Sequence, residues 1–127
     1  MPLCFEAQGQ QPPKLVFENR VIDIGSIPLS KKDTTVVFHY RNESDSALVI
    51  VNMVPTCTCV VPTYSREPLA ARDCTSFSVR YSFSHAGSFS QAVTICFSSP
   101  NSSELELVRV GIKGVVEEED IPQESFE

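Results

Sequence analysis

Cysteines are the residues of this chain whose type and spacing most clearly suggest chemistry. There are five of them, at Cys4, Cys57, Cys59, Cys74 and Cys96. An odd number means that at least one cysteine stays free or pairs between chains. Cys57 and Cys59 are separated by a single residue, in a segment bracketed by two prolines, which restrict the backbone and lack an N–H donor.

The Cys57-Thr58-Cys59 motif has three interpretations. If the segment is extended, the two side chains share a face and can bind a soft metal such as Cu(I). If it turns, the pair can close a small disulfide of relatively oxidising potential. If one cysteine points inward, it fills the core as a small apolar residue. We favour structural packing or a structural disulfide, with redox chemistry next; zinc is disfavoured because no second cysteine pair follows.

Nothing else in the sequence predicts catalysis. His39 is expected on the outward face of a strand and His85 in a turn, and the sequence places no hydroxyl, thiol or carboxylate beside either as a catalytic triad would need. With five glycines there is no phosphate-binding loop, and paired carboxylates, adjacent in the sequence, occur only in a solvated terminal segment. Cys74 and Cys96 are predicted to face outward and do not form an obvious pair across the core. We therefore predict no catalytic residue, no cofactor and no enzyme.

The charge of the chain is unevenly distributed. The net charge is −6, yet residues 117–127 hold six acids and no base, while residues 1–116 hold ten acids and ten bases. A neutral body lacks the clustered Lys and Arg that binding to a phosphate backbone needs, so we predict no nucleic-acid partner. No apolar run approaches the roughly 20 residues of a membrane-spanning helix, so we predict a chain that does not span a membrane.

The 127 residues fit one domain with two non-core ends. Residues 1–13 are predicted to be a linker or the remnant of a signal peptide, because they end in Gln and Pro and contain Ala7-Gln8-Gly9, a small-x-small pattern. Residues 14–116 form the predicted domain. Residues 117–127 are predicted to be an acidic, disordered tail or linker.

Alternation of apolar and polar residues predicts strands almost throughout the domain. The clearest runs are 34–41, 75–81 and 89–97, while 48–54 is apolar on both faces and is expected to be a central strand. Opposite parities at Leu107 and Val108 predict a β-bulge there. We predict an all-β fold, an immunoglobulin-like antiparallel β-sandwich of about seven strands. The core is expected on Phe38, Tyr40, Ile50, Phe77, Val79, Tyr81, Phe89 and Ile95.

Two features typical of immunoglobulin domains are absent from the sequence. The chain has no Trp to pack on a central strand. Its 34–41 strand has no cysteine, so the usual disulfide between the two sheets cannot form.

The order of several short motifs resembles a known family. Ile24-Gly25-Ser26-Ile27, Cys57-Thr58-Cys59, Val79-Arg80-Tyr81 and Gly111-Ile112-Lys113-Gly114 resemble the bacterial domain-of-unknown-function family 1573 over residues 15–116. That family is similar to the ASPM/Hydin-type and major-sperm-protein-type sandwiches. The resemblance implies an immunoglobulin-like domain of a secreted or periplasmic protein. The chain departs from the family pattern at Val60, where Thr is usual, and at Arg72-Asp73, where a Pro-Gly turn is usual.

These features predict a non-catalytic structural or protein-interaction domain of a secreted, periplasmic or surface-attached bacterial protein. A small sandwich exposes edge strands that can accept a strand from an unknown protein partner, and we expect that edge at residues 14–18 or 105–114. The alternative is a thiol-redox or copper-handling protein that acts through Cys57 and Cys59.

Overall fold

The computed structural model describes residues 14–118. The described residues form eight strands and one short 3-10 turn at Leu29–Lys31. The strands are β1 (Leu15–Phe17), β2 (Val21–Pro28), β3 (Asp33–Asn42), β4 (Val49–Pro55), β5 (Val60–Thr63), β6 (Cys74–Ser82), β7 (Gly87–Ser98) and β8 (Glu106–Glu117). That three-residue turn is the one helical element among the described residues, which therefore include no candidate for a membrane-spanning helix.

The strands form two four-stranded sheets, which confirms the predicted sandwich. The first sheet has the order β1-β3-β6-β5 and is antiparallel throughout. The second sheet has the order β2-β8-β7-β4, in which β2 and β8 run parallel. The prediction of a wholly antiparallel sandwich was therefore wrong for one pair. The reason is that the chain leaves β1, crosses to the other sheet within residues 18–20 and enters beside β8 in the same direction.

The core lies where the inward faces of the two sheets meet. All the predicted core residues are buried except Phe89, which is half-buried and packs against the core. Phe38 and Phe77 stack with ring centroids 5.2 Å apart inside the first sheet, and Tyr81 stacks on Phe89 of the second sheet at 4.4 Å. Burial raises the pKa of Tyr40 to about 12. Aromatic contacts within and between the sheets thus replace the missing disulfide and Trp.

The strand at Val49–Pro55 lies at an edge and not at the centre of its sheet. β4 pairs only with β7, and its outward residues Val51 and Val54 remain exposed. The apolar residues on its outer face had indicated burial on both sides, but no layer of the described structure covers that face. The prediction of a central strand was wrong.

The predicted bulge at Leu107–Val108 is also absent. β7 and β8 pair without a break from Phe97 opposite Glu106 to Gly87 opposite Val116. The parity conflict is resolved because Leu105 and Leu107 point to solvent, with exposed fractions of 58% and 66%. These two leucines are therefore surface residues.

A buried asparagine ties together the loops at one end of the sandwich. Asn42 has no solvent exposure, and its amide nitrogen donates to the carbonyl oxygens of Ser46 and Leu69 at 2.9 and 2.8 Å. Its amide oxygen accepts from the backbone N–H and the hydroxyl of Ser44 at 2.9 and 2.7 Å. Buried polar groups are stabilised when every donor and acceptor finds a partner, as here.

Candidate protein-binding edge

The Cys57-Thr58-Cys59 segment turns and is closed by a disulfide. The S–S distance is 1.94 Å and the Cα atoms lie 5.1 Å apart. The turn joins β4 of the second sheet to β5 of the first, so it forms the crossover on one side of the sandwich. Both cysteines are half-buried and pack against the core. The geometry gives the pair a packing role, and its redox or copper chemistry stays a prediction.

The remaining described cysteines lie on different sheets. Cys96 of β7 is a free, half-buried thiol on the outer face of the second sheet, opposite Leu107. Cys74 of β6, in the first sheet, is disulfide-bonded. Cys4 lies outside the described residues.

The histidines do not assemble a catalytic site in residues 14–118. His39 lies on β3, as expected. At His85, which lies between β6 and β7, the hydroxyl of the preceding residue Ser84 lies 3.1 Å from Nδ1. This contact joins exposed sequence neighbours in a turn, and a triad needs a third group that orients the base. Among the described residues no three His, Cys, Asp or Glu side chains come together as a metal site.

One side of the sandwich, where β4 and β5 are the edge strands, is closed by a loop and by side chains. The loop at residues 64–69 covers the first half of β4. Leu48 and Leu69 exchange both backbone hydrogen bonds, at 3.0 and 2.7 Å, and Arg66 donates to the carbonyl oxygen of Val51. These contacts occupy backbone groups that an added strand would need.

The rest of that side is closed by prolines and local hydrogen bonds. On β4 the outward-facing donor of Met53 binds the side-chain oxygen of Asn52 at 2.9 Å, and the next outward position, Pro55, has no N–H. On β5 Pro62 likewise offers no donor, while the Val60 N–H donates back into the cysteine turn at 3.0 Å. Such devices are typical of edges that are protected against pairing.

The opposite side of the sandwich is the one at which the chain crosses from β1 to β2. Directly after β1, the Glu18 N–H donates to the carbonyl oxygen of His39 on β3 at 2.9 Å. Because backbone groups alternate in direction along a strand, Leu15 and Phe17 point their N–H and C=O away from β3. β1 therefore is an edge strand, as the sequence predicted for residues 14–18.

The first half of β8 has an edge without a partner strand. Gly111 donates its N–H to the carbonyl oxygen of Arg20 at 2.8 Å, and β2 begins only at Val21. By the same alternation, Leu107 and Arg109 point their N–H groups to this side of β8. No group in residues 14–118 accepts a hydrogen bond from either. Arg20 covers only the carbonyl oxygen of Arg109, with guanidinium nitrogens at 3.1 and 3.3 Å.

This unpaired edge lines a notch between the two sheets, which we call the β8 notch. Its volume is about 530 Å³, and Leu15, Phe97 and Val108 contribute apolar surface. Lys14 and Glu106 form an ion pair across it. The predicted edge at 105–114 is thus correct for its first half and wrong from Gly111 onward, where β2 covers β8.

Three of the residues that define these edges could not be placed from the sequence. Pro55 and Pro62 are visible in the sequence, but their blocking role depends on which strands lie at the edge. Arg20 contacts a carbonyl group 89 residues away, so only the tertiary structure reveals it. The one available signal for the notch in the sequence was the pair Leu105 and Leu107, whose parity conflicts with that of Val108.

Comparison with known proteins assigns the family. The family model described as "Protein of unknown function (DUF1573)" matches residues 15–116. The chain belongs to the DUF1573 family. No curated protein matches the chain.

Solved structures support the fold of this DUF1573 domain. The chain is similar to the ASH/PapD-like domain 7 of human CEP192, with a TM-score of 0.65, 12% identity and coverage of 94% of this chain and 99% of that chain. It is similar to WR4, an MSP family member of C. elegans, with a TM-score of 0.57, 10% identity and coverage of 82% and 98%. It is also similar to the E. coli chaperone DraB, with a TM-score of 0.55, 12% identity and coverage of 87% and 59%. At these identities the likeness establishes the fold alone.

Proposed function

We propose that this DUF1573 domain is a non-catalytic protein-interaction domain that binds an extended segment of a partner protein at the β8 notch. The single observation that carries the proposal is the contrast between the two sides of the sandwich. On the β4–β5 side the N–H groups of Leu48, Met53 and Val60 are occupied, and Pro55 and Pro62 have none. The notch, in contrast, leaves the Leu107 N–H and C=O and the Arg109 N–H without a strand partner in the described chain.

An added strand would gain both hydrogen bonds and apolar contact at this place. Main-chain hydrogen bonds give affinity in this mode of recognition, and the side chains of alternate residues give specificity. Leu107 is 66% exposed on the outer face, and Val108 and Leu15 lie on the notch side. A strand of about three residues would match the unpaired length of β8.

The cysteines support an exported location. Disulfides persist in oxidising compartments, and the Cys57–Cys59 bond, together with bonded Cys74, fits a secreted, periplasmic or surface-attached protein. We place the domain at residues 14–116, with linkers or attachments at 1–13 and 117–127. The predictions for both ends fall largely outside the described residues, although Glu117 is the last residue of β8.

Site-specific photo-crosslinking tests the proposal in cells that produce the protein. The crosslinker benzoyl-phenylalanine replaces Leu107 in one variant and Val61 in the control. These side chains are 66% and 52% exposed and lie on the open and the closed side, respectively. We expect a discrete adduct with a partner from position 107 and none from 61. Equal labelling at both positions, or labelling at 61 alone, would contradict the proposal.

A proline variant tests whether the backbone edge itself is used. The Leu107 N–H points away from β7, so Leu107→Pro removes an edge donor without removing a bond of the β7–β8 ladder. With the crosslinker placed at Leu105, we expect this change to abolish the adduct, while circular dichroism verifies the fold. If a folded variant keeps the adduct, the partner does not pair with this edge. If the variant unfolds, the comparison of crosslinking at positions 107 and 61 still tests whether a partner binds at the β8 notch.

A further inference from the structure

A second groove adjoins the β8 notch on the outer face of the second sheet. Its volume is about 490 Å³, and small residues, Ala92 and Gly111, lie side by side in its floor. Arg20 and Arg109 line both this groove and the notch, so the two cavities adjoin. We call the combined surface the arginine trough.

The charge of the arginine trough is unbalanced. No acidic residue lines the groove over Ala92 and Gly111, and Glu106, which lines the notch, is already paired with Lys14. Within residues 14–118, neither Arg20 nor Arg109 takes part in an ion pair with a carboxylate. Arg20 donates from two guanidinium nitrogens to the neutral carbonyl oxygen of Arg109 and has further N–H donors. Two guanidinium groups therefore share one surface without a counter-charge from the described chain.

The geometry of an added strand places its side chains against these arginines. A strand beside Leu107–Arg109 would turn alternate residues, spaced by about 7 Å, toward the outer face of the sheet. Those residues would stand level with Leu107 and the exposed guanidinium of Arg109. The intervening residues would face Val108 and Leu15 in the notch. An acid on the outer face and an apolar residue on the inner face match this environment.

We propose that the partner segment is an extended acidic peptide in which carboxylates alternate with apolar residues, and that Arg20 and Arg109 bind its carboxylates. This inference rests on the proposed function and specifies its partner. Guanidinium groups bind carboxylates through paired, charge-assisted hydrogen bonds, which give the interaction both strength and register. A basic or uncharged segment would leave the two arginines uncompensated.

Binding of defined peptides to the full chain tests the inference. Four fluorescent decapeptides are compared by anisotropy: alternating Glu and Val, alternating Ser and Val, alternating Lys and Val, and a block peptide with five Glu followed by five Val. We expect the Glu–Val peptide to bind at least tenfold more tightly than each of the others, and raising the salt concentration should weaken it. Equal affinity for the Ser–Val peptide, or no binding by any of the four, overturns the inference.

Matched charge reversals locate the site. Arg109→Glu should weaken binding of the Glu–Val peptide at least tenfold, whereas Arg80→Glu, on the outer face of the first sheet, should leave it unchanged. Equal losses in both variants would mean that only net charge matters and would contradict the inference. These binding measurements test the chemistry of the partner segment. The crosslinks at Leu107 test the proposed function separately.

The acidic end of the chain itself is the competing occupant. Replacing Glu119, Asp120 and Glu124 by their amides in the full chain should leave the affinity for the Glu–Val peptide within twofold. A gain of tenfold would show that this segment occupies the trough, and the assignment to a partner protein would then be wrong.

Discussion

Replacement of Asn42 by Ala should cost more stability than any surface change in this domain. The side chain is fully buried and makes four short hydrogen bonds, two as donor to the carbonyl oxygens of Ser46 and Leu69 and two as acceptor from Ser44. Asn42→Ala removes all four, although the carbonyl oxygens of Leu69 and Ser46 each keep one other donor, the Leu48 N–H and the Ser44 hydroxyl. At about 1 kcal/mol net for each bond, the expected loss is about 4 kcal/mol.

Such a loss would be a large part of a typical stability of about 5–15 kcal/mol. Urea denaturation followed by circular dichroism measures it directly. Asn101→Ala is the matched control, because Asn101 is exposed and also stands in an Asn-x-Ser sequence; we expect a change within about 0.5 kcal/mol. A loss below about 1 kcal/mol for Asn42→Ala would refute the view that this residue holds the loops together.

Asn42→Asp tests the same contacts through pH. A carboxylate here would face the carbonyl oxygens of Ser46 and Leu69, so burial and repulsion should raise its pKa in the folded state. A raised pKa favours the folded protein at low pH, and that stabilisation is lost as the pH rises through the folded-state pKa. The variant should therefore be more stable near pH 4 than near pH 7, relative to the native chain, and a flat difference would contradict the geometry.

Three further changes test the packing, the cysteine turn and the core. Gly114→Ala should lower the unfolding temperature strongly, because the added Cβ would lie 2.7 Å from a backbone oxygen. Gly111→Ala, whose Cβ would have its nearest contact at 3.3 Å, should lower the unfolding temperature clearly less. Equal decreases in the two variants would contradict this packing. Replacing Cys57 and Cys59 together by Ser should leave a folded sandwich, with a loss of about 1–2 kcal/mol in urea because the closed loop is very short; failure to fold would contradict a local role. Burial raises the pKa of Tyr40 from 10.0 to about 12, so the stabilisation from its neutral hydroxyl is fully present below pH 10 and is lost as the pH rises. The free energy of unfolding should fall by about 2–3 kcal/mol by pH 12. The loss should be smaller in Tyr40→Phe, and urea denaturation at alkaline pH measures both.

Most of the fold could be predicted because the alternation of apolar and polar residues shows which side chains of each strand point inward. Phe38 and Tyr40 alternate with polar neighbours, and both are buried as expected. The alternation gives the face of a strand but not its neighbours. For that reason the apolar run at Val49–Pro55 was assigned to the centre of a sheet although it lies at an edge.

The candidate site was only half visible in the sequence, because an edge is a property of strand order. Residues 105–114 read as one strand, yet β2 covers only the part from Gly111 onward. The point at which the chain enters β2 after crossing from β1 sets where the pairing of β8 with β2 begins. No local sequence pattern encodes that point. Asn42 illustrates the same difficulty, since a residue that reads as the start of a polar turn is in fact wholly buried.

Amide hydrogen exchange measured by NMR tests whether the edge of β8 is unpaired. Val108 and Val110 point their N–H groups toward β7, whereas Leu107 and Arg109 point theirs into the β8 notch. We expect slow exchange at the two valines and exchange at least a hundredfold faster at Leu107 and Arg109 in the free protein. Equal protection of all four amides would show that this edge is already paired, which would contradict a free edge at the β8 notch.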